Sequence, residues 1–208
     1  MKEILPNALV VTILTVLCIQ FLDLPLSAAI AEYLGTYAPV VNTSNMPDLL
    51  LIIVVTLTSL SWGLYFFLVR HHIYDQRTLF CQLTGTALPL SFVIKIILKW
   101  LFGRTDTRTW LSDHSQYGFH WFAGSEGSQG FPSGHMLVFT PLFLALWHFY
   151  PRFRFSYGIV LFCLIIALIA TEYHFLSDVF AGTYIGLVIY LAVTRLVISY
   201  NVRRSTNL

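Results

Sequence analysis

Six runs of about 20 apolar residues each, at 8–30, 49–69, 80–101, 132–150, 155–173 and 178–199, occupy most of this 208-residue chain. Wound as an α-helix, a run of that length matches the hydrocarbon thickness of a bilayer. The charge count agrees. The chain has 12 Lys or Arg and 10 Asp or Glu, 57% of its residues are apolar, and the mean hydropathy is +0.73. A water-facing globule needs roughly a quarter of its residues charged, so 11% excludes a soluble domain. The same composition excludes disordered, collagen-like and disulfide-scaffold chains. The predicted fold class is therefore all-α: a polytopic membrane protein with six transmembrane helices in one bundle, forming a single membrane domain over 1–208. No repeat of fixed period and no low-complexity linker divides the chain.

A net charge of +2 without any Lys/Arg cluster gives no support to a nucleic-acid partner. Cys18, Cys81 and Cys163 each sit in an apolar run with no metal-type spacing, and read as packing residues. The first run has some features of a signal peptide, with Lys2 ahead of it and Ser27-Ala28-Ala29 as a cleavage-like site. Its apolar length and weakly basic start favour a retained helix.

Cytoplasmic loops carry the excess of Lys and Arg. With the N-terminus inside, Lys2, Arg70, Arg77, Arg152, Arg154, Arg203 and Arg204 all become cytoplasmic, as do both termini. The loops at 31–48 and 174–177 then lie outside and contain no Lys or Arg. Lys99, Arg104 and Arg108 run against this bias, because the segment from 99 to 134 falls on the outer side. Its loop, 102–131, is the only long break between spans, and a long loop in a compact protein is usually functional or disordered. Trp110, Tyr117, Phe119, Trp121 and Phe122 in it suggest docking at the membrane interface.

Three short stretches on that outer side carry the chemistry. The first, 99–108, has Lys99, Arg104 and Arg108; such cations bind phosphate or pyrophosphate and stabilise transition-state charge. Lys95 lies one turn deeper, either snorkelling or functional. The second, 131–135, reads Phe-Pro-Ser-Gly-His. Pro132 suits a first helical turn, Ser133 offers a hydroxyl, and Gly134 offers an unshielded amide at a dipole that favours anions. His135 stands where it can protonate a bound group. The third, 173–178, puts His174 and Asp178 four residues apart, so that on a helix they share a face. A carboxylate on one ring nitrogen leaves the other as nucleophile or base.

With these residues the chain resembles the type 2 phosphatidic acid phosphatase family of membrane lipid phosphatases, whose active site is related to that of vanadium haloperoxidases. The resemblance covers roughly residues 50–195, and the first span fits the family's six-helix plan. It implies that His174 attacks phosphorus to form a phosphohistidine, Asp178 orients it, and His135 protonates the leaving oxygen. Lys99, Arg104, Ser133 and the Gly134 amide would hold the phosphate, with no metal and no cofactor. The chain departs from the family pattern twice: Asp106 stands where a second Arg is usual, with no proline after it, and Leu168 where the third stretch usually starts with Arg. Arg108 is the candidate replacement, and Asp106 or Glu172 could order Arg104 or Arg108. The Gly-Arg-Thr opening with Tyr117-Gly-Phe-His120 resembles a bacterial subset, implying an inner membrane with the site on the periplasmic or external side. His114 and His120 lie in the outer loop as weaker candidates.

The expected activity is hydrolysis of a phosphate mono- or diphosphate ester of a membrane lipid, such as polyprenyl diphosphate, phosphatidylglycerol phosphate, phosphatidate or lipid A. Two alternatives stay open, phosphotransfer between lipids and a non-catalytic lipid-binding relative. The expected partners are the lipid substrate and the bilayer; oligomeric state is not legible.

Overall fold

The computed structural model describes residues 4–34, 49–123 and 127–206. Lys2, positions 35–48 of the expected outer loop and the Arg204 side chain lie outside what is described. The described residues are all-helical. Helix α1 (Ile4–Leu17) passes through a five-residue π turn, Cys18–Leu22, into α2 (Asp23–Leu34). There follow α3 (Leu49–Arg70), α4 (Gln76–Phe102), the short α5 (Thr107–Ser112), α6 (Gly134–Phe149), α7 (Arg154–Ala170) and α8 (Leu176–Thr206).

Among the described residues, five helical stretches are long and apolar enough to cross a membrane: Ala8–Leu34, Leu49–Arg70, Gln76–Phe102, Pro151–Ala170 and Leu176–Arg203. The expected sixth corresponds to α6, which is apolar but only 16 residues long. At 1.5 Å per residue it reaches about 24 Å, short of the roughly 30 Å hydrocarbon core. Six full spans are therefore not borne out. Pro89 inside α4 and Pro141 inside α6 leave these helices unbroken, as is common where neighbouring groups in a membrane bundle take up the freed carbonyls.

Local chemistry sets the helix ends. The Asp75 carboxylate accepts from the Arg77 and Thr78 amides at 2.9 and 3.3 Å, capping α4. His72, at φ 57°, stops α3, with Ile73 N donating to Leu68 O and His72 N to Val69 O. Gly103, at φ 52°, stops α4; a Cβ there would lie 1.9 Å from the His120 carbonyl oxygen, so only glycine fits.

The chain divides into two compact units. One comprises the described residues of 47–93, 137–161 and 185–208. Its core is Leu50, Val54, Leu88 and Val138, flanked by Leu57, Phe92, Phe139 and Leu142. Polar contacts tie its helices: Trp62 Nε1 donates to Gly85 O at 2.9 Å, Ser61 and Thr84 hydroxyls meet at 3.0 Å, and Asn201 donates to Gln82 at 2.9 Å. Arg70, Arg77, Arg152, Arg154 and Arg203 all belong to this unit.

The other unit comprises the described residues of 1–46, 94–136 and 162–184. It contains all three sequence stretches. Its core joins Ala31, Trp110, Leu111 and Phe175, with Leu24 and Tyr117 against them. Trp110 is thus buried and not an interfacial ring, whereas Trp121 and Phe122 are more than half exposed. Of the cysteines, Cys18 and Cys81 are buried and Cys163 is exposed.

Candidate active site

In the second stretch Ser133, not Pro132, sits at the cap. Helix α6 begins at Gly134, so Ser133 precedes it and Pro132 lies one residue outside the first turn. The Ser133 hydroxyl faces the Met136 amide at a long 3.5 Å, and the Ser133 amide donates to the Asp178 carbonyl at 3.0 Å. Bare Gly182 makes that approach possible, since a Cβ on it would lie 2.5 Å from Ser133 O. Gly134 is shielded on one side by the Lys95 stem, whose methylenes pass 2.9–3.0 Å from where its Cβ would be. His135 occupies the second position of α6. Its ring centroid is 6.2 Å from that of His174 and 5.4 Å from that of Tyr173.

The third stretch lies at the junction of α7 and α8, with His174 in the expected loop between them. Helix α7 ends at Ala170, and Glu172 at φ 56° closes it in a left-handed stop. The Glu172 amide donates to Ile169 O, and both Tyr173 N, at 3.0 Å, and His174 N, at 3.2 Å, donate to Leu168 O. His174 therefore lies in the turn between α7 and α8, anchored by the backbone of Leu168. Asp178 is the third residue of α8, and its Oδ2 accepts from the Phe175 amide at 3.0 Å, half of a capping box. His174 Nδ1 faces the same oxygen at 3.8 Å, beyond hydrogen-bond length. The imidazole is 2% exposed, and neither ring nitrogen has a hydrogen-bond partner among the described residues.

Arg104 is fully buried. Nη1 donates to Asp178 Oδ1 at 2.5 Å and Ser177 Oγ at 2.6 Å; Nη2 donates to Asp23 Oδ2 at 2.7 Å and Tyr117 Oη at 3.0 Å. Phe175 covers the guanidinium at 4.7 Å. Burial opposes the charge, but Asp178 and Asp23 prevail and raise the Arg104 pKa further above its ordinary value. Four of its five N–H groups are thus committed to protein, and Nε alone has no partner among the described residues. Extended backbone holds it in place: Thr105 N donates to Gly118 O, Asp106 N to Gly127 O, and Gly130 N to Arg104 O.

Arg108, at the start of α5, points to the histidine turn. Its Nη2 donates to Thr171 O at 2.9 Å and its guanidinium lies 5.1 Å over the Tyr173 ring. Lys99 is half-buried in the last turn of α4, and Lys95 is nearly buried beneath it. Asp106 is half-buried; desolvation raises its pKa despite attraction to Lys99 and His174, so it holds its proton more tightly than an ordinary aspartate. His114 packs its ring on Trp110 at 4.8 Å, and His120 Nε2 lies 3.5 Å from Thr105 Oγ1; both are exposed. An apolar hollow of about 310 Å³, lined by Ala29, Ile30, Tyr33, Leu34 and Ala170, adjoins Thr171 along the chain.

His135, His174, Asp178, Ser133, Gly134, Lys99, Arg104 and Arg108 thus fall in one unit, with Lys95 beside Gly134 and Arg104 turned toward carboxylates. Asp23 and Ser177 joined them without being foreseen. For Asp23 the available signal was a lone acid inside an apolar run, which in a membrane segment is a functional suspect.

Comparison with known proteins returned one match. The sequence model described as the PAP2 superfamily covers residues 78–201, more than half of the chain. No curated protein and no solved structure matches.

Proposed function

The chain belongs to the PAP2 superfamily, the type 2 phosphatidic acid phosphatases, whose members act on phosphate esters, and from that premise we propose that it is an integral membrane lipid phosphatase working through a phosphohistidine. The observation that carries this reading is His174: a buried imidazole, 3.8 Å from a carboxylate, with both ring nitrogens unsatisfied among the described residues. Buried polar atoms without partners are rare in folded proteins, and a catalytic role is one explanation for them.

In this reading Nε2 of His174 attacks phosphorus as the bond from phosphorus to the ester oxygen breaks, and His135 gives that oxygen its proton. The proton on Nδ1 stays in place, and Asp178 stabilises the positive charge that grows on the ring. Water then attacks phosphorus, His135 takes its proton, and the P–N bond breaks to free phosphate and restore His174. Lys99, Arg108, Ser133 and the Gly134 amide hold the phosphate oxygens, with Lys95 close by. Arg104, foreseen as a phosphate ligand, acts here through Asp178. Because fixed cations and the α6 dipole provide the electrostatic stabilisation, phosphate release survives EDTA.

A lipid substrate is supported by the five membrane-length helices. The orientation follows the charge rule: Arg77 in the first turn of α4 faces the cytoplasm and Lys99 in its last turn the opposite side.

The test is phosphate release from a panel of lipid mono- and diphosphates by purified protein in detergent. Turnover by the wild type and none by folded His174→Ala supports the reading. Labelled phosphate passing to a second lipid, with little released to water, would instead indicate phosphotransfer.

A further inference from the structure

We propose that Asp23, inside the first membrane-spanning stretch, is a positioning residue for catalysis, holding Arg104 and the start of α8 so that Asp178 meets His174. This rests on the phosphatase reading above. Asp23 is fully buried within the span Ala8–Leu34, where an ionisable side chain is retained only when paired or used. Its Oδ2 accepts from Arg104 Nη2 at 2.7 Å and from the Ser177 hydroxyl, and its Oδ1 accepts from the Ser177 amide at 3.0 Å. One carboxylate therefore grips both the arginine that binds Asp178 and the residue immediately before Asp178.

The helix is shaped for this. The π turn Cys18–Leu22 ends at Asp23, whose amide donates to Cys18 O. Such turns inside α-helices recur at functional sites, where they redirect the residues that follow. Within the same turn the Ile19 carbonyl accepts from the Tyr117 hydroxyl at 3.3 Å, and that hydroxyl in turn accepts from Arg104. Tyr117 and Asp23 thus approach the guanidinium from separate segments, and Ser177 completes the set from α8.

The charge balance explains why two acids are needed. One guanidinium between two carboxylates leaves one net negative charge, buried behind His174. As Nε2 bonds phosphorus, the ring becomes cationic, and that charge is stabilised by the residual anion. With Asp23 alone, Arg104 would neglect Asp178; with Asp178 alone, Arg104 would cancel it.

Replacing Asp23 with Asn keeps the size and removes the charge. The groups facing His174 are Asp178 from α8, His135 from α6, Tyr173 beside it and Asp106 from the extended segment, with Arg108 over Tyr173 and Arg104 behind Asp178. D23N changes none of these residues and weakens only the anchor on Arg104 and the start of α8. With one buried anion fewer behind Asp178, the acid limb of the kcat/KM profile moves to lower pH in D23N. The expected loss in kcat is about 10- to 100-fold, the range for outer-layer partners of a reacting group, with KM within about threefold because Asp23 touches no phosphate.

The experiment measures phosphate release against pH for purified wild type, D23N, D23E and Ser177→Ala, each with a thermal unfolding curve. The proposal expects D23E to restore the position of the acid limb, and Ser177→Ala to lower kcat without moving it. A folded D23N with wild-type kcat and an unmoved limb overturns the proposal. If D23N does not fold, wild-type kcat in both D23E and Ser177→Ala overturns it. If the wild type itself releases no phosphate from any lipid phosphate, the phosphatase reading fails, a result distinct from an active wild type matched by D23N.

Discussion

At the scale of single residues, the site is built from groups held away from their usual partners. His174 has no hydrogen-bond partner on either nitrogen among the described residues, and Arg104 spends its donors on two carboxylates and two hydroxyls. In the proposed reading phosphate binding falls to Lys99, Arg108 and the start of α6. A charge-assisted hydrogen bond is worth about 1.5–3 kcal/mol, so Arg108→Ala should raise KM about 10- to 100-fold, while Arg108→Lys, lacking the planar fork, recovers only part of it. Initial rates against lipid phosphate check this, and an unchanged KM would remove Arg108 from the phosphate ligands. Asp106 makes a different prediction. Its folded pKa is raised, so the native state binds that proton more tightly than the unfolded chain. This contribution to stability is complete below the ordinary value of 3.8 and is lost as pH rises through the folded pKa. Asp106→Asn should therefore lack that decline, and its thermal midpoint should gain on the wild type as pH rises from 4 toward neutrality. Equal pH dependence in the two proteins would contradict the assignment. That the two histidines and Asp178 belong to one cluster was legible from residue type and spacing, but the partners of Arg104 were not. Whether a guanidinium meets phosphate or carboxylate depends on which acids the fold brings to it, and Asp23 arrives from 81 positions away in the chain.

At the scale of elements, helix ends do the positioning. The apolar runs predicted five of the spanning stretches closely, because length and hydropathy alone define them. They placed His174 in the loop at 174–177, between the last two helices, where it lies; they did not predict that α7 would stop as early as Ala170, since the stop is made by Glu172 in the left-handed region, a conformation its side chain does not announce. The four-residue spacing of His174 and Asp178 works across a loop-to-helix junction, where the two side chains face each other at 3.8 Å. Gly103 illustrates the reverse, a residue whose type does foretell its place. Gly103→Ala forces a left-handed alanine, about 1–2 kcal/mol, and a clash with the His120 carbonyl, so both thermal midpoint and phosphate release should fall. By contrast, His72→Gly at the exposed end of α3 should stabilise by up to about 1 kcal/mol and leave phosphate release unchanged. A destabilised His72→Gly protein would show that the left-handed residue makes a contact worth more than its strain.

At the scale of the whole molecule, residues from four separated stretches, at 23, 95–108, 133–135 and 171–178, come together in one unit of an all-helical membrane protein. Because Asp23 belongs to that set, the first apolar run should persist in the purified protein. An intact mass lacking residues up to Ala29 would contradict this. The sixth span fell short of a full crossing because α6 begins only at Gly134, where the Ser133 cap fixes its start, and ends at Phe149. The central claim is that His174 carries phosphate during turnover. Quenching the protein in alkaline detergent seconds after mixing with a radiolabelled short-chain lipid phosphate tests it most directly. The account predicts an acid-labile, alkali-stable phosphoryl group on wild-type protein, more of it on His135→Ala if water attack becomes slower than transfer, and none on His174→Ala. Label retained by His174→Ala, or turnover by that variant at the wild-type rate, would contradict it.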